Sequence, residues 1–338
     1  MKAVAFQTPG GPIEKLEDIE LEKPEATGRD LLIKVHAISV NPIDTKVRSG
    51  AVPSPQEGYR VLGFDAAGVV EERGTDCHGT FHKGDEVYYS GALTRQGTNS
   101  EYHLVDERIV GHKPKSLSMA QAAAMPLTTI TAWEMLFDRL NISEPTVEGG
   151  KILLIIGGAG GVGSMAIQLV KAMNPDMTII ATASRPETQQ WCKELGAHHV
   201  IDHSQPMAPQ IDSLDLGAPG FVFSTTHTEQ HLEDIVALMA PQGRFGMIDD
   251  AKVINAMLFK KKSISLHWEL MFTRSLFQTA DIDEQAHLLN KVAVLVDAGK
   301  LRSTITETAG KINAENLKKV HATIESHKAK GKIVLEGF

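Results

Sequence analysis

The chain of 338 residues is long enough to form two domains, each with a hydrophobic core of its own. Its 42% hydrophobic and 22% charged residues are typical of a water-soluble globular protein. The formal net charge of −8 argues against nucleic acid or an anionic membrane surface as a partner. Cys77 and Cys192 are the only cysteines, too few for a disulfide framework or a cysteine-based zinc cluster, so we expect a reducing, cytoplasmic location.

The first residues, MKAVAFQTPGG, alternate small and apolar side chains into a Pro-Gly turn. They lack the long apolar core and small-residue cleavage site of a signal peptide. No uninterrupted apolar run in the chain reaches membrane-spanning length. We therefore expect an unprocessed protein with no membrane-spanning segment.

Short strand-like segments separated by Gly, Pro and Asp clusters occupy the first third of the chain. They are MKAVAF, DLLIKVHAISV, VLGFDAAGVVEE, GDEVYYSG and EYHLVDE. Such segments predict an antiparallel, barrel-like β domain. The pattern changes after Ser118, which is placed to cap a helix in the stretch rich in Ala, Met and Leu that follows.

From Lys151 onward, continuous apolar strands alternate with helical segments, beginning KILLIIGG, VGSMAIQLVKAM, MTIIATAS and PETQQWCKELGA. This alternation predicts a parallel, doubly wound sheet that ends at KSISLHWELMF. Residues 281–300 predict one amphipathic helix, and we expect the last strand, GKIVLEGF, to rejoin the first domain because a lone strand needs a sheet. The predicted domains are 1–122 with 274–338, and 123–273.

A glycine-rich loop lies between the first predicted strand and helix of the doubly wound domain. Gly158, Gly160 and Gly163 fit the pattern GxGxxG in this context. Its three glycines allow a tight turn, the approach of backbone N–H groups to a pyrophosphate, and close helix packing. The pattern predicts nucleotide binding; the alternative is that these glycines only permit tight packing.

The end of the next strand, MTIIATASRPE, decides between the two nicotinamide cofactors. An NAD site usually has Asp or Glu there to bind the ribose 2′-hydroxyl, but no carboxylate occurs before Glu187. Ser184 and Arg185 stand instead where a 2′-phosphate would bind, and a guanidinium suits a phosphate. The sequence favours NADPH; the alternative for Arg185 is an ordinary solvated charge.

The order of these motifs resembles the medium-chain dehydrogenase/reductase superfamily. The resemblance rests on VLGFDAAGVV, KGDEV, PLTTITAW, GGAGGVGSMAIQLVK and KELGAHHVID, and it covers essentially the whole chain. It is strongest to the quinone oxidoreductase subfamily and, within it, to the bacterial zinc-type alcohol dehydrogenase-like group. The resemblance implies a GroES-like β-barrel catalytic domain formed by both chain ends, a central Rossmann domain, an active site in the cleft between them, and a homodimer.

The same resemblance assigns cofactor contacts residue by residue. The pyrophosphate would be met by the start of the helix, at Gly160, Gly161 and Val162. Ser184 and Arg185 would meet the 2′-phosphate. Related quinone reductases often place a tyrosine after the third strand, where this chain has His203. His203 would replace that tyrosine with a pH-dependent contact; the alternative is a surface histidine.

The chain departs from the zinc enzymes of the superfamily at their metal ligands. Those enzymes place a cysteine where this chain has Asn41 and a histidine where it has Phe64. Neither is a usual zinc ligand, and the two acids nearby, Asp44 and Asp65, make a poor zinc site without a soft ligand. The four-cysteine structural lobe is also missing from the sequence. We therefore expect no bound zinc.

Four residues are candidates for the catalytic site. Asn41 would position the nicotinamide or the acceptor; its alternative is a turn residue before Pro42. Thr128 and Thr131 would line the nicotinamide pocket, although helix capping explains hydroxyls there equally well. Related reductases have a tyrosine after the RSG turn, which is missing here, and Tyr59 would take its place; the alternative is a surface aromatic.

These observations predict a zinc-independent, NADPH-dependent reductase of a small-molecule quinone or α,β-unsaturated carbonyl. Such acceptors ask only for orientation and a hydrogen bond to the developing oxyanion, whereas alcohol oxidation favours a Lewis-acid metal. Two alternatives stay open. One is a zinc-dependent alcohol dehydrogenase, and the other is a non-catalytic NADPH-binding sensor.

Overall fold

The computed structural model describes residues 1–7, 10–52, 58–144 and 150–338. The chain forms two compact units. The first unit contains Met1–Ile130 and Phe272–Phe338, and the second contains Thr131–Met271. Among the described residues, no helix combines the length and the apolar character needed to cross a membrane.

The N-terminal part of the first unit is built from short strands, most of them antiparallel to their neighbours. They are β1 (Lys2–Gln7), β2 (Glu17–Glu20), β3 (Asp30–Ser39), β4 (Tyr59–Val61), β5 (Asp65–Arg73), β6 (Glu86–Ser90), β7 (Tyr102–Asp106) and β8 (Val110–His112). β1 lies between β2 and β4 in a three-stranded sheet. β3 pairs with both β5 and β7, so the long strand β3 forms the centre of the larger sheet.

Three helices interrupt and follow these strands: α1 (Pro42–Ser49), α2 (Met119–Ala123) and α3 (Pro126–Trp133). Short 3-10 turns occur at Ile13–Lys15 and Glu107–Ile109. The predicted cap is confirmed, because the Ser118 hydroxyl accepts from the Gln121 N–H at the start of α2. α3 continues into a π-helix, Glu134–Arg139, in the second unit.

The second unit alternates strands and helices as the sequence predicts. Its elements are β9 (Ile152–Ile156), α4 (Gly161–Met173), β10 (Thr178–Thr182), α5 (Pro186–Leu195), β11 (His199–Ile201), α6 (Met207–Asp212), β12 (Phe221–Ser224), α7 (Thr228–Leu238), β13 (Arg244–Met247), α8 (Met257–Lys260) and β14 (Ser265–Trp268). The sheet order is β11-β10-β9-β12-β13-β14, and every neighbouring pair is parallel. The predicted doubly wound parallel sheet is therefore confirmed, with its switch in direction between β9 and β12.

Burial explains why β9 is central in this sheet. All five residues of β9 are buried. Ile152, Leu154 and Ile156 face a core that includes Val222 of β12 and Ile235 of α7. A strand covered on both faces is continuously apolar, which is the pattern that predicted it.

The chain then returns to the first unit through α9 (Thr273–Phe277), α10 (Glu284–Asp297), β15 (Ile305–Thr308), α11 (Ala314–Glu325) and β16 (Lys332–Glu336). β16 pairs antiparallel with β3 and parallel with β15. The prediction that the last strand rejoins the first domain is thus confirmed. The resulting sheet has the order β15-β16-β3-β5-β6-β8, with β7 paired to β3.

Candidate functional site

The tight turn after β9 depends on a glycine that stands just before the GxGxxG pattern. Gly157 has φ +80°, a conformation that favours glycine. A Cβ there would also lie 2.4 Å from the Thr225 Oγ1, in the segment that follows β12. Gly157 therefore brings the ends of the two central strands together at the switch point of the sheet.

The three glycines of the pattern meet different demands. A Cβ on Gly158 would lie 2.8 Å from the Ala181 Cβ, and one on Gly163 would lie 2.3 Å from the Gly157 carbonyl oxygen. These two glycines allow close packing of the loop on β10 and of α4 on the loop. At Gly160 the nearest atom would be the Gly157 carbonyl oxygen at 3.4 Å, so the space beside it is nearly open.

Gly160 is the N-cap of α4, with extended backbone and no side-chain cap. Gly161 and Val162, which follow it, are half-buried, and Gly163 is buried. A helix of this length presents backbone N–H groups and a partial positive charge at its first turn. A loop with open space at Gly160 and an uncapped helix start fits the pyrophosphate of a dinucleotide.

At the carboxyl end of β10, Ser184 is exposed and Arg185 is half-buried. The Arg185 Nε lies 3.2 Å from Glu187 Oε1, and both side chains are substantially exposed. This ion pair holds the guanidinium near the start of α5 with a contact that solvent weakens. Glu187, the first carboxylate after β10 in the sequence, is thus an ion-pair partner of Arg185.

His203 follows β11 and is joined to the glycine loop through Thr182. Its Nδ1 lies 3.0 Å from the Thr182 Oγ1, which also accepts from the Gly157 N–H at 3.0 Å. Burial and the neighbouring His231 lower the pKa of His203. The structure thus brings together three successive strand ends, and burial of His203 disfavours its charged form.

In the first unit, Asn41 lies at the centre of a buried polar cluster. Its Nδ2 donates to Asp65 Oδ2 at 2.8 Å and to the Ser39 carbonyl at 3.3 Å, and its Oδ1 accepts from the Lys332 Nζ. Asn41 is 1% exposed. Both of its N–H groups are therefore engaged within the unit. Lys332 is not among the residues predicted from sequence, because it begins β16, a strand without any recognisable motif.

Asp65 joins this cluster to the start of α3. Its Oδ1 accepts from the Leu127 N–H at 2.7 Å, and its Oδ2 accepts from Asn41 and from the Lys332 Nζ at 3.2 Å. Burial raises the pKa of Asp65 and lowers that of Lys332, and each shift is opposed by the charge of the other group. Because all three partners of Asp65 donate, the ionised carboxylate is the form that fits.

Asp44 occupies the first turn of α1. Its two oxygens accept from the Asn41 N–H at 2.8 Å and the Gly63 N–H at 2.9 Å, which completes a capping box with Asn41. The two N–H donors favour the carboxylate, but burial outweighs them and raises the pKa of Asp44 to about 7. This carboxyl therefore titrates near neutral pH.

The titration of Asp44 makes stability depend on pH. The folded protein retains a proton that the unfolded chain, with a pKa of 3.8, releases. The resulting stabilisation is greatest below about pH 4. It declines by up to about 1.4 kcal/mol per pH unit as the pH rises from about 4 to about 7. We expect the free energy of unfolding of the wild type to fall relative to that of Asp44→Asn from about pH 5 to 7 in denaturant titrations. A constant difference across that range would contradict this account.

The other candidate catalytic residues occupy separate positions. Thr128 and Thr131 are buried on α3, where the Thr128 Oγ1 donates to the Met125 carbonyl at 3.1 Å. Tyr59 is 43% exposed on β4 and forms a hydrogen bond with Glu17, whose charge raises the pKa of Tyr59. Within the described residues, no hydrogen bond joins Tyr59 to Asn41. Residues 53–57, which precede Tyr59 in the sequence, lie outside the described residues.

The donors at the positions of the zinc ligands do not fit a zinc ion. Phe64 is buried, and its ring packs edge-on against Phe272 with centroids 5.1 Å apart. Asn41 is engaged by Asp65 and by the Lys332 ammonium, whose positive charge opposes a second cation there. In the described part of the chain, no three His, Cys, Asp or Glu side chains are grouped to hold a metal ion.

Two protein-family models match the chain. A model described as alcohol dehydrogenase GroES-like domain matches residues 27–131. A model described as zinc-binding dehydrogenase matches residues 161–286. The first match falls almost wholly in the first unit, and the second begins at the start of α4.

Relatives and solved structures match over most of their length. Zinc-type alcohol dehydrogenase-like protein SAS2087 of Staphylococcus aureus is 37% identical, with 99% of each chain covered. Human mitochondrial NAD(P)H oxidoreductase RTN4IP1 is 30% identical, covering 90% of this chain and 81% of its own. A Rhizobium etli structure described as a zinc-dependent alcohol dehydrogenase protein has a TM-score of 0.96 and 55% identity, covering 100% of this chain and 98% of that one. A quinone oxidoreductase of Pseudomonas syringae has a TM-score of 0.82 and 28% identity, with 99% of each chain covered.

Proposed function

Because the chain belongs to the medium-chain dehydrogenase/reductase superfamily, an oxidoreductase family, we propose that it is a zinc-independent, NADPH-dependent reductase of quinones or α,β-unsaturated carbonyls. The observation that carries the proposal is the end of β10, where Thr182 bonds to the glycine loop and is followed by Ser184 and Arg185. The carboxylate usual in an NAD site is missing there, since the chain has no Asp or Glu between β10 and Glu187.

The residues of the second unit would hold NADPH. Gly160, Gly161 and Val162 bind its pyrophosphate through the helix start, with Gly158 and Gly163 keeping the loop compact. Ser184 and Arg185 bind the 2′-phosphate, and His203 adds a ring nitrogen held in place by Thr182. When bound, NADPH supplies a hydride.

Zinc independence is supported by the chemistry of the donor set. Alcohol oxidation requires an alkoxide to be stabilised, and Asn41 with Phe64 offers a zinc ion neither thiolate nor imidazole. The description of the Rhizobium etli relative points to zinc, and the quinone oxidoreductase of Pseudomonas syringae points to an acceptor that needs none. The ligand positions of this chain favour the second.

The acceptor would be held by α3 and its surroundings. Thr131 is the candidate to hydrogen-bond the developing oxyanion of the acceptor, and Thr128, whose hydroxyl donates to the Met125 carbonyl, is the candidate to line the nicotinamide pocket. Since both N–H groups of Asn41 are engaged by Asp65 and Ser39, we assign Asn41 to holding this region rather than to donating to the acceptor. Tyr59 would contact the acceptor only if its hydroxyl gave up the hydrogen bond with Glu17.

A purified sample tests the proposal by NADPH oxidation with a panel of benzoquinones, naphthoquinones and enones, with and without a strong chelator. We expect turnover with at least one acceptor and no loss on chelation. Tight NADPH binding without turnover of any acceptor would instead indicate a non-catalytic NADPH-binding sensor. Activity that is lost when stoichiometric zinc is removed, and that returns when zinc is added back, would instead establish a zinc-dependent alcohol dehydrogenase.

We propose a cytoplasmic homodimer, with 1–122 and 274–338 as catalytic domain and 123–273 as cofactor domain. Support for the dimer comes from β14, which lies at the edge of its sheet, and from Trp268 and Leu270, which are 53% and 48% exposed there. An exposed edge strand with apolar side chains is typical of a surface where another chain pairs.

A further inference from the structure

The buried cluster of the first unit contains a charged residue for which the proposed reaction has no assigned use. Lys332 begins β16 and is 3% exposed, so its ammonium is buried among groups of the protein. It donates to the Val40 carbonyl at 3.0 Å, to Asn41 Oδ1 and to Asp65 Oδ2 at 3.2 Å. Its three N–H groups therefore have three acceptors, which is the full capacity of an ammonium.

This arrangement fixes the orientation of the Asn41 amide. Lys332 can only donate, and the ionised Asp65 can only accept. Asn41 must therefore turn its oxygen to Lys332 and its NH₂ group to Asp65, as the structure shows. The reverse orientation would set two donors against each other and two acceptors against each other.

Asp65 carries the effect of Lys332 to α3. Its other oxygen, Oδ1, accepts from the Leu127 N–H at the first turn of α3, where the helix dipole stabilises a negative charge. Lys332 supplies the counter-charge that allows a buried carboxylate to remain ionised in that position. Thr128, the next residue along α3, is a proposed cofactor-side contact.

We propose that Lys332 is a positioning residue, a built-in cation that locks the Asn41 amide and holds Asp65 on the first turn of α3, and so sets the place of Thr128. It acts through Asn41 and Asp65, which accept two of its N–H groups. The inference rests on the proposed function only for its activity readout.

Lys332→Met removes the charge and keeps most of the side-chain volume. Hydrogen exchange of the Leu127 amide, whose N–H is held by Asp65, reports on the cap directly. We expect this exchange to accelerate by about tenfold or more and kcat to fall by about tenfold or more. The NADPH Kd should stay within about twofold, because the glycine loop and Arg185 belong to the second unit. Lys34→Met, at an exposed position of β3, is the control and should change none of these values.

The double variant Asp65→Asn with Lys332→Met separates positioning from stability. Removing both charges relieves the unpaired buried carboxylate, so the free energy of unfolding should recover relative to the single variant. We expect kcat to stay low, since the Asn41 orientation and the charge on α3 are both gone. Recovery of kcat together with stability would overturn the proposal by showing a purely structural pair.

Failure of the proposed function gives a different result. A wild type that turns over no acceptor refutes the reductase and leaves the Leu127 exchange as the deciding measurement. Unchanged Leu127 exchange in Lys332→Met would overturn the positioning role, whether or not the wild type is active.

Discussion

Replacing Arg185 by alanine is expected to weaken NADPH binding by about 10- to 100-fold and to leave NADH binding within about twofold. The guanidinium is half-exposed beyond the end of β10, and of the two cofactors only NADPH carries a 2′-phosphate for it to bind. A charge-assisted hydrogen bond contributes about 1.5–3 kcal/mol, which corresponds to that range of Kd. Calorimetric titration of both cofactors measures the effect.

Glu187→Gln is the matched control, because it changes the partner of Arg185 and leaves the guanidinium in place. In the protein alone, the carboxylate of Glu187 competes with a phosphate for Arg185 at 3.2 Å. Its removal should tighten NADPH binding by about two- to fivefold, the size of an exposed ion pair. Equal losses of NADPH and NADH affinity in Arg185→Ala would show that Arg185 supports the loop and does not select the cofactor.

Alanine substitutions at Gly160 and Gly163 are expected to have different effects on folding and on cofactor binding. The Cβ of Gly163→Ala would stand 2.3 Å from the Gly157 carbonyl oxygen, so α4 or the loop must move. Overpacking of this kind costs up to about 3 kcal/mol, and we expect Gly163→Ala to lower both the free energy of unfolding and the NADPH affinity.

Gly160→Ala should leave folding nearly intact. Its Cβ would meet a single atom at 3.4 Å, and its φ of −70° suits alanine, so the change at this N-cap costs about 1 kcal/mol or less. Because the open space at Gly160 is where a pyrophosphate would approach, NADPH affinity should fall by more than about tenfold. Denaturant titration and calorimetry on both variants test the pair. Wild-type NADPH affinity in Gly160→Ala would place the cofactor elsewhere.

The parts of the protein that sequence analysis predicts correctly are those set by neighbouring residues. The continuous apolar run of β9 and the glycines after it predict a buried strand and a strand-to-helix turn, and the structure contains both. The conventional pattern begins at Gly158, however, and so misses Gly157. Its need for glycine comes from its positive φ and from Thr225, 68 residues further on.

The surroundings of Asn41 could not be predicted, because they come from distant parts of the chain. Lys332 is separated from Asn41 by 291 residues, and Asp65 reaches a backbone N–H 62 residues away, at Leu127. Only the pairing of β16 with β3 brings Lys332 into the cluster. From the sequence alone, Asn41 before Pro42 is either a positioning residue or a turn residue, and nothing nearby decides between the two.

Tyr59 shows the same limit on an exposed strand. Its position after the RSG turn suggested a reach toward the acceptor, but the pairing of β1 with both β2 and β4 sets it beside Glu17. A hydroxyl bonded to a carboxylate is a poor proton donor as long as that contact lasts. Its catalytic role remains a prediction.

Transfer of deuterium from NADPH tests the central claim most directly. NADPH carrying deuterium at the transferable position of the nicotinamide is supplied with an enone and a strong chelator, and the product is examined by mass spectrometry. Reduction of the C=C bond by hydride transfer predicts one deuterium on the product carbon, with the accompanying proton taken from solvent. Product without deuterium, or product formed only after zinc is restored, would contradict a zinc-independent NADPH reductase.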